Sequence, residues 1–180
     1  EPSYAQPFQT DKELWQNAKV MEAFVKTMGK RIGPKSGTDK MFVIDGEPDA
    51  MAAQYGEYFN YFILQAYNSS GNSDLNSRFT AQATHFQQYL TPEQVANKLI
   101  VCENFENYAG KGGVSFRLDN GTTLPSLLGM AYWNPVYNGV TYRKGGVGTY
   151  HMEYEYTVSG QTGNYPFLRK AIQIMNPSIQ

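Results

Sequence analysis

The sequence contains one cysteine, Cys102, and two histidines, His85 and His151. A lone cysteine forms no internal disulfide, and Cys102 sits inside an apolar run, so it reads as a buried structural thiol rather than a nucleophile. Two histidines so far apart make no recognisable zinc pattern, and neither metal nor cofactor is expected. Charge is also sparse, at 17% Asp, Glu, Lys and Arg with a net charge of −1. The Lys and Arg residues are scattered, with no cluster longer than Lys30-Arg31 or Arg143-Lys144. That excludes a surface tracking phosphates, and with it nucleic acid as a partner. No apolar run approaches the roughly 18 residues of a membrane span, and the opening Glu1-Pro2-Ser3 is not a signal peptide. The pairs Gly112-Gly113 and Gly145-Gly146 lack the G-x-G-x-x-G spacing and do not lead into helices, so a dinucleotide or phosphate cradle is excluded as well.

What the chain does have is aromatic side chains: 14 Tyr, 10 Phe and 2 Trp in 180 residues. With few charges and many Asn and Gln, such a composition suits a site that stacks flat apolar faces and hydrogen-bonds hydroxyls, as sugars require. The same tyrosines could equally line a wet core boundary. The length suits one globular domain with a real core.

Apolar spacing predicts a helix over residues 13–32, stopped by Gly33-Pro34. Buried strands follow at 40–45 and 59–67, the second closing on the polar loop 68–74. Residues 75–90 read as a helix, and Thr91-Pro92-Glu93-Gln94 starts another with an N-cap Thr and Pro at the first position. A third strand spans 98–103, and a Gly- and Asn-rich excursion over 104–123 is long enough to be a functional loop. A helix at 125–133, a hairpin around Asn138-Gly139, a fourth strand at 147–154 and a helix at 165–175 complete the pattern. Apolar strands alternating with helices mean a parallel α/β sheet buried on both faces, for which a small four-stranded sandwich is the plainest form.

Each strand ends in polar residues at its carboxyl end, where parallel α/β folds carry their sites. Strand one supplies Asp45 and Glu47, strand two Gln65, Tyr67 and Asn68, strand three Glu103, Asn104 and Glu106, and strand four His151, Glu153 and Glu155. Ile63, Gln65 and Tyr67 share a strand face, so Gln and Tyr alternate into one pocket that donates and accepts hydrogen bonds. Gln65, Tyr67, Glu103 and Tyr150 are expected around one cavity, bordered by Asp45 and Glu1.

The run Ile63-Leu64-Gln65-Ala66-Tyr67-Asn68, with its Gln-x-Tyr-Asn ending, resembles the sixth barrel strand of the family-18 glycoside hydrolases. Gly145-Gly146-Val147-Gly148-Thr149-Tyr150 is similar to their eighth strand, which leads to an aromatic residue on the floor of the sugar subsite. Many members have Trp there, so Tyr150 would offer a smaller stacking surface. The resemblance extends over essentially all 180 residues and is to a bacterial surface-glycan branch that includes endo-β-N-acetylglucosaminidases. It implies the second half of a (β/α)8 TIM barrel, strands five to eight, with helices on one side of the sheet. Val43, Ile63, Ile100 and Val101 would then face the barrel interior.

The family signature D-x-x-D-x-D-x-E, whose last Glu is the general acid, is not in the sequence; in register, Glu1 takes the place of that Glu. In the family the substrate's own N-acetyl carbonyl attacks the anomeric carbon, so the protein supplies no nucleophile. The resemblance gives Tyr67 the contact to the acetamido oxygen and Gln65 the adjacent one. It makes Glu1 and Tyr67 the catalytic pair, and Gln65, Asn68, Asp45, Glu47, Glu103, Asn104, Tyr150 and Glu153 the substrate-binding set. Without its aspartates the chain is expected to be an incomplete, inactive fragment of an active parent. The alternative is a glycan-binding barrel of the same family without turnover. The implied partners are an N-acetylglucosamine-containing oligosaccharide or N-glycan, together with the missing N-terminal half of the barrel or a second copy of the chain. The implied location is extracytoplasmic, at a bacterial surface or in the periplasm.

Overall fold

The computed structural model describes residue 13, residues 17–157 and residues 164–177. Glu1 lies outside the described residues. In chain order the elements are α1 (Ala18–Gly29), β1 (Val43–Gly46), two short 3-10 turns, β2 (Tyr61–Gln65), α2 (Asn72–Phe86), α3 (Pro92–Lys98) and β3 (Leu99–Asn104). A third 3-10 turn leads to β4 (Ser115–Arg117), β5 (Thr123–Pro125), α4 (Ser126–Tyr132), β6 (Val136–Tyr137) and β7 (Val140–Thr141). The last elements are β8 (Gly146–Tyr150), α5 (Glu153–Thr157) and α6 (Pro166–Met175).

Strands β1, β2, β3 and β8 form one sheet in that spatial order, and every pair in it is parallel. The sheet is open: among the described residues, β1 and β8 are each paired along one edge only. Local chemistry fixes the helix starts. Asn17 accepts from the Val20 amide at 3.0 Å and caps α1. Thr91 and Gln94 form a reciprocal capping box ahead of Pro92, which closes α3 at its entry. The β6–β7 hairpin turns on Asn138 and Gly139, with φ of 51° and 78°, the positive values a two-residue turn demands.

Alternation along the strands gives the sheet two unlike faces. Ile44, Phe62, Leu64, Leu99 and Val101 are buried beneath the helices. There they meet Leu75, Phe79, Phe86, Val95 and Met130, with the Phe62 and Phe86 rings stacked at 5.0 Å. Each such side chain contributes about 1.5–3 kcal/mol by leaving water. A smaller cluster of Phe105, Leu127, Ala131 and Ala171 locks α4 to α6 beside β8. The opposite face carries Val43, Asp45, Tyr61, Ile63, Gln65 and Ile100, and no described helix covers it; Val43 is 37% exposed. A sandwich with helices on both faces is therefore not what the described residues form.

Three details of the expected strands change. Val101 belongs to the helix-covered face, because its neighbour Ile100 takes the open one and successive residues must alternate. The second strand ends at Gln65, which puts Tyr67 in the turn beyond it. The fourth ends at Tyr150: His151 takes a left-handed backbone, φ 60°, and the chain then coils into α5, so Glu153 stands on a helix and not on a strand.

Lys144 is buried just before β8, and its Nζ donates to the carbonyls of Ala131, at 2.9 Å, and Trp133. These are orphan acceptors at the end of α4, so the lysine acts as an internal C-cap. Burial, with a smaller effect from Arg143, pulls its pKa down to about 8.

Candidate functional site

Parallel pairing places residues of equal register side by side on the same face. On the open face one row runs Asp45, Ile63, Ile100 and Gly146, and the next, nearer the carboxyl ends, runs Gln65, Cys102 and Gly148. Asn104 and Tyr150 follow in the row beyond. The Tyr67 and Tyr150 rings approach to 6.1 Å across this end, at an interplanar angle of 31°. The result is a shallow floor with a polar amide and a thiol in its middle and two tyrosines at its edge. Gly148 keeps the floor open: a Cβ there would touch only Ile100 Cγ2, at 3.9 Å. Cys102 is nearly covered, and burial, followed by the nearby charges of Asp45 and Glu103, pushes its thiol up to about 12. It stays protonated and unreactive at neutral pH, the structural thiol that its apolar surroundings in the sequence imply.

Glu103 is not on this floor. It alternates to the covered face and is completely buried. Its Oε1 accepts from the backbone amides of Asn68, at 3.1 Å, and Asn104, at 2.8 Å, while its Oε2 accepts from the Ser126 hydroxyl. Ser126 Oγ in turn accepts from the Val114 amide at 3.0 Å. Gly113 lies against this knot with φ 103°, and a Cβ there would meet Ser126 Oγ at 1.9 Å. Glu103 thus ties the turn that carries Tyr67 and Asn68 to the end of β3 and the start of α4. It positions the site from beneath, and the expected shared cavity of Gln65, Tyr67, Glu103 and Tyr150 gives way to a floor made by three of them.

The remaining candidates divide in the same way. Asp45 is exposed on the open face, two residues from Glu47 at the end of β1. Glu47 is paired with Arg78, which also reaches Asp74. Asn68 is exposed in a left-handed turn, φ 59°. Asn104 folds onto its own loop, its Oδ1 accepting from the Glu106 amide at 2.7 Å. Glu153 accepts from His151 Nδ1 at 2.6 Å, and that hydrogen bond holds its carboxyl below the usual carboxylate range.

Two features escaped the sequence reading. One is the Glu103–Ser126–Gly113 knot; a Gly-Gly pair in a loop between a strand-end Glu and a Ser was its only trace. The other is the run of rings beyond β8. His151 lies 4.0 Å from Tyr150 and stacks on Tyr154 at 4.8 Å and 20°. Glu155, expected at the end of the fourth strand, stands instead on α5 and is buried, with its carboxylate accepting from the Phe167 and Leu168 amides at 2.5 and 3.4 Å. It caps α6, although burial raises its pKa. A cavity of about 580 Å³ lined by Tyr132, Asn134, Arg143 and Lys144 opens at the amino end of β8, away from the floor.

A one-sided parallel α/β sheet with amide and tyrosine side chains at the carboxyl ends of its strands carries them where parallel α/β folds place their sites. Residues 2–174 match the model of glycoside hydrolase family 18, BT1044-like, and the chain belongs to glycoside hydrolase family 18. It is 29% identical over 164 residues to endo-β-N-acetylglucosaminidase F2 of Elizabethkingia meningoseptica, covering 86% of this chain and 45% of that protein. A solved selenomethionine form of BT1044 carrying a Glu-to-Gln substitution superposes with a TM-score of 0.68 at 26% identity, covering 88% of this chain and 45% of that one. The endo-β-N-acetylglucosaminidase of Cordyceps militaris, solved with fucosyl-N-acetylglucosamine-Asn, shares the fold at TM-score 0.61 and 23% identity, covering 89% of this chain and 53% of that one. The chain thus spans about half the length of the relatives it matches.

Proposed function

We propose that this chain forms strands five to eight of a (β/α)8 barrel whose complete form hydrolyses N-acetylglucosamine-containing glycans as an endo-β-N-acetylglucosaminidase. The observation that carries the reading is the floor itself: Gln65, Tyr67 and Tyr150 converge at the carboxyl ends of a parallel sheet, on the face that helices leave uncovered. Two further features support completion of the barrel. The edges of β1 and β8 are open among the described residues, and the outermost helices expose apolar side chains, Val20 and Phe24 on α1 and Ile172 on α6. The missing strands come from the rest of the barrel or from a second copy of this chain. By the same likeness the protein works outside the cytoplasm, at a bacterial surface or in the periplasm.

In this reading no side chain attacks the sugar. Tyr67 donates to the acetamido oxygen and holds it under the anomeric carbon, Gln65 steadies the same group, and the Tyr150 ring supports the pyranose face. Glu1 is the acid that protonates the leaving oxygen and then takes a proton from water. The second reading is a barrel of the same family that binds glycan without turnover.

The test is Tyr67→Phe in the complete barrel, assayed on an N-glycopeptide. Turnover should fall about 100-fold while KM changes less than about threefold, because the acetamido contact strengthens as the oxazolinium forms. Equal losses in both would reduce Tyr67 to a plain sugar contact. Glycan binding with no product at any enzyme concentration would establish the binding-only barrel.

A further inference from the structure

The rings beyond β8 extend the floor along the rim. From Tyr67 the contacts pass to Tyr150, then to His151, then to Tyr154, at 6.1, 4.0 and 4.8 Å between centroids. These rings are not core: Tyr150 is 47% and Tyr154 38% exposed. The segment is nonetheless held in one shape. His151 adopts φ 60°, a backbone region that is costly for a residue with a Cβ and persists only where the surroundings enforce it. The enforcing contacts are local. Its Nδ1 is bonded to Glu153 Oε1 at 2.6 Å, its ring stacks on Tyr154 at 20°, and the Tyr154 amide donates to the His151 carbonyl at 3.1 Å. A strained turn that fixes exposed aromatic faces beside a carboxylate has the chemistry of carbohydrate recognition. Apolar ring faces meet the C–H side of a pyranose, and Glu153 is an acceptor for its hydroxyls.

We propose that His151 and Tyr154, with the Glu153 carboxylate, extend the floor from Tyr150 as a second carbohydrate-binding ledge, which takes a sugar residue of the glycan beyond the one held by Gln65, Tyr67 and Tyr150. The ledge rests on the function proposed above. It is a specificity element: it adds affinity for extended glycans and none for a single N-acetylglucosamine. His151 is its positioning residue, setting the angle between the Tyr150 and Tyr154 rings through the stack and the Glu153 bond.

The experiment is calorimetric titration of the complete barrel, made catalytically silent by Glu1→Gln, with N-acetylglucosamine and with an intact N-glycopeptide. Tyr154→Ala is expected to weaken glycopeptide binding about tenfold and leave the monosaccharide unchanged within about twofold, the size of one lost aromatic contact. His151→Asn is the second variant, because Asn tolerates the left-handed backbone and so removes the ring without unfolding the turn. It should give a loss of similar size and the same selectivity, with an unchanged thermal melt. Wild-type binding of both ligands with no selective loss in either variant overturns the ledge and leaves the proposed function standing. A lowered melting temperature with unchanged glycan selectivity overturns it too, by making the rings a packing surface. Failure of the unsubstituted floor to bind either ligand overturns the proposed function and the ledge with it.

Discussion

Replacement of Glu103 separates a ligand contact from a buried support. Its carboxylate is fully buried and accepts three hydrogen bonds, from the Asn68 and Asn104 amides and the Ser126 hydroxyl. Glu103→Ala leaves these donors without an acceptor and opens a void beneath the end of β3. Each stranded buried donor costs about 1–3 kcal/mol, and water entering the void recovers part of this, so the expected net loss is about 3–5 kcal/mol. For a domain of this size that is a fall in Tm of roughly 6–20 °C. Glu103→Gln should cost less, about 1–2 kcal/mol, because one oxygen still serves the two backbone amides. The new amide can donate to Ser126 Oγ, which then loses only its own acceptor. Differential scanning calorimetry of the complete barrel measures both variants, and titration with the glycopeptide shows whether affinity falls in step with stability. The reasoning is refuted if Glu103→Ala melts within about 2 °C of the parent and yet abolishes binding, since the carboxylate would then be touching the ligand.

Gly148→Val should leave the thermal melt nearly unchanged, because its first added atom meets only Ile100, while glycan affinity falls about tenfold or more as the branched side chain fills the floor. Gly113→Ala should cost more than about 2 kcal/mol in a urea melt, since its Cβ collides with Ser126 Oγ and its φ is positive. Lys144 gives a pH signature. Its folded pKa of about 8 lies below the ordinary lysine value of 10.5, so between these values the unfolded chain holds a proton that the folded one has released. The stability of the parent relative to Lys144→Met should therefore rise with pH across that window, at up to about 1.4 kcal/mol per unit, and fall again as pH drops through 8. A flat difference would mean that the lysine is not buried. Sedimentation of the 180 residues alone should give a dimer or aggregate, and a compact monomer that melts cooperatively would remove the half-barrel proposal.

Much of the scaffold was legible because local signals agreed with tertiary ones. Thr91-Pro92 ahead of a Gln three residues after the cap, Asn138-Gly139 between short extended runs, and the apolar 98–103 all specify their structure within a few residues, and each became the element expected. The errors arose where the decisive contact is distant in sequence. His151 is the exception: its turn is held by a carboxylate and a ring stack two and three residues away, which carry no turn signature in the sequence. Nothing near Glu103 says that it faces inward, because its partners are Asn68 on one side and Ser126 on the other. A strand-end carboxylate looks the same in sequence whether it meets ligand or structure; only the parity of its strand, counted from a residue of known face, distinguishes the two. That count was available: Val101 and Glu103 share a face, and a fully apolar position two residues earlier argues for the covered side.

The same parity explains why the site takes the form it does. The covered face has to be filled to stabilise the domain, so it carries Phe62, Leu64, Leu99 and Val101, together with Glu103, whose bonds are all internal. The open face is released from that demand. It can afford a glycine at 148, a thiol at 102 and an amide at 65, residues that pack poorly but leave room and hydrogen-bonding groups. Rigidity passes from one face to the other at the strand ends, where Glu103 grips the backbone of Asn68 from below and so sets the turn from which Tyr67 reaches the floor. A ligand group bound by Tyr67 is thereby referred to the core through two covalently adjacent residues and one buried carboxylate. Disturbing that support should move the Tyr67 hydroxyl while leaving Gln65, which is fixed by the strand itself, in place.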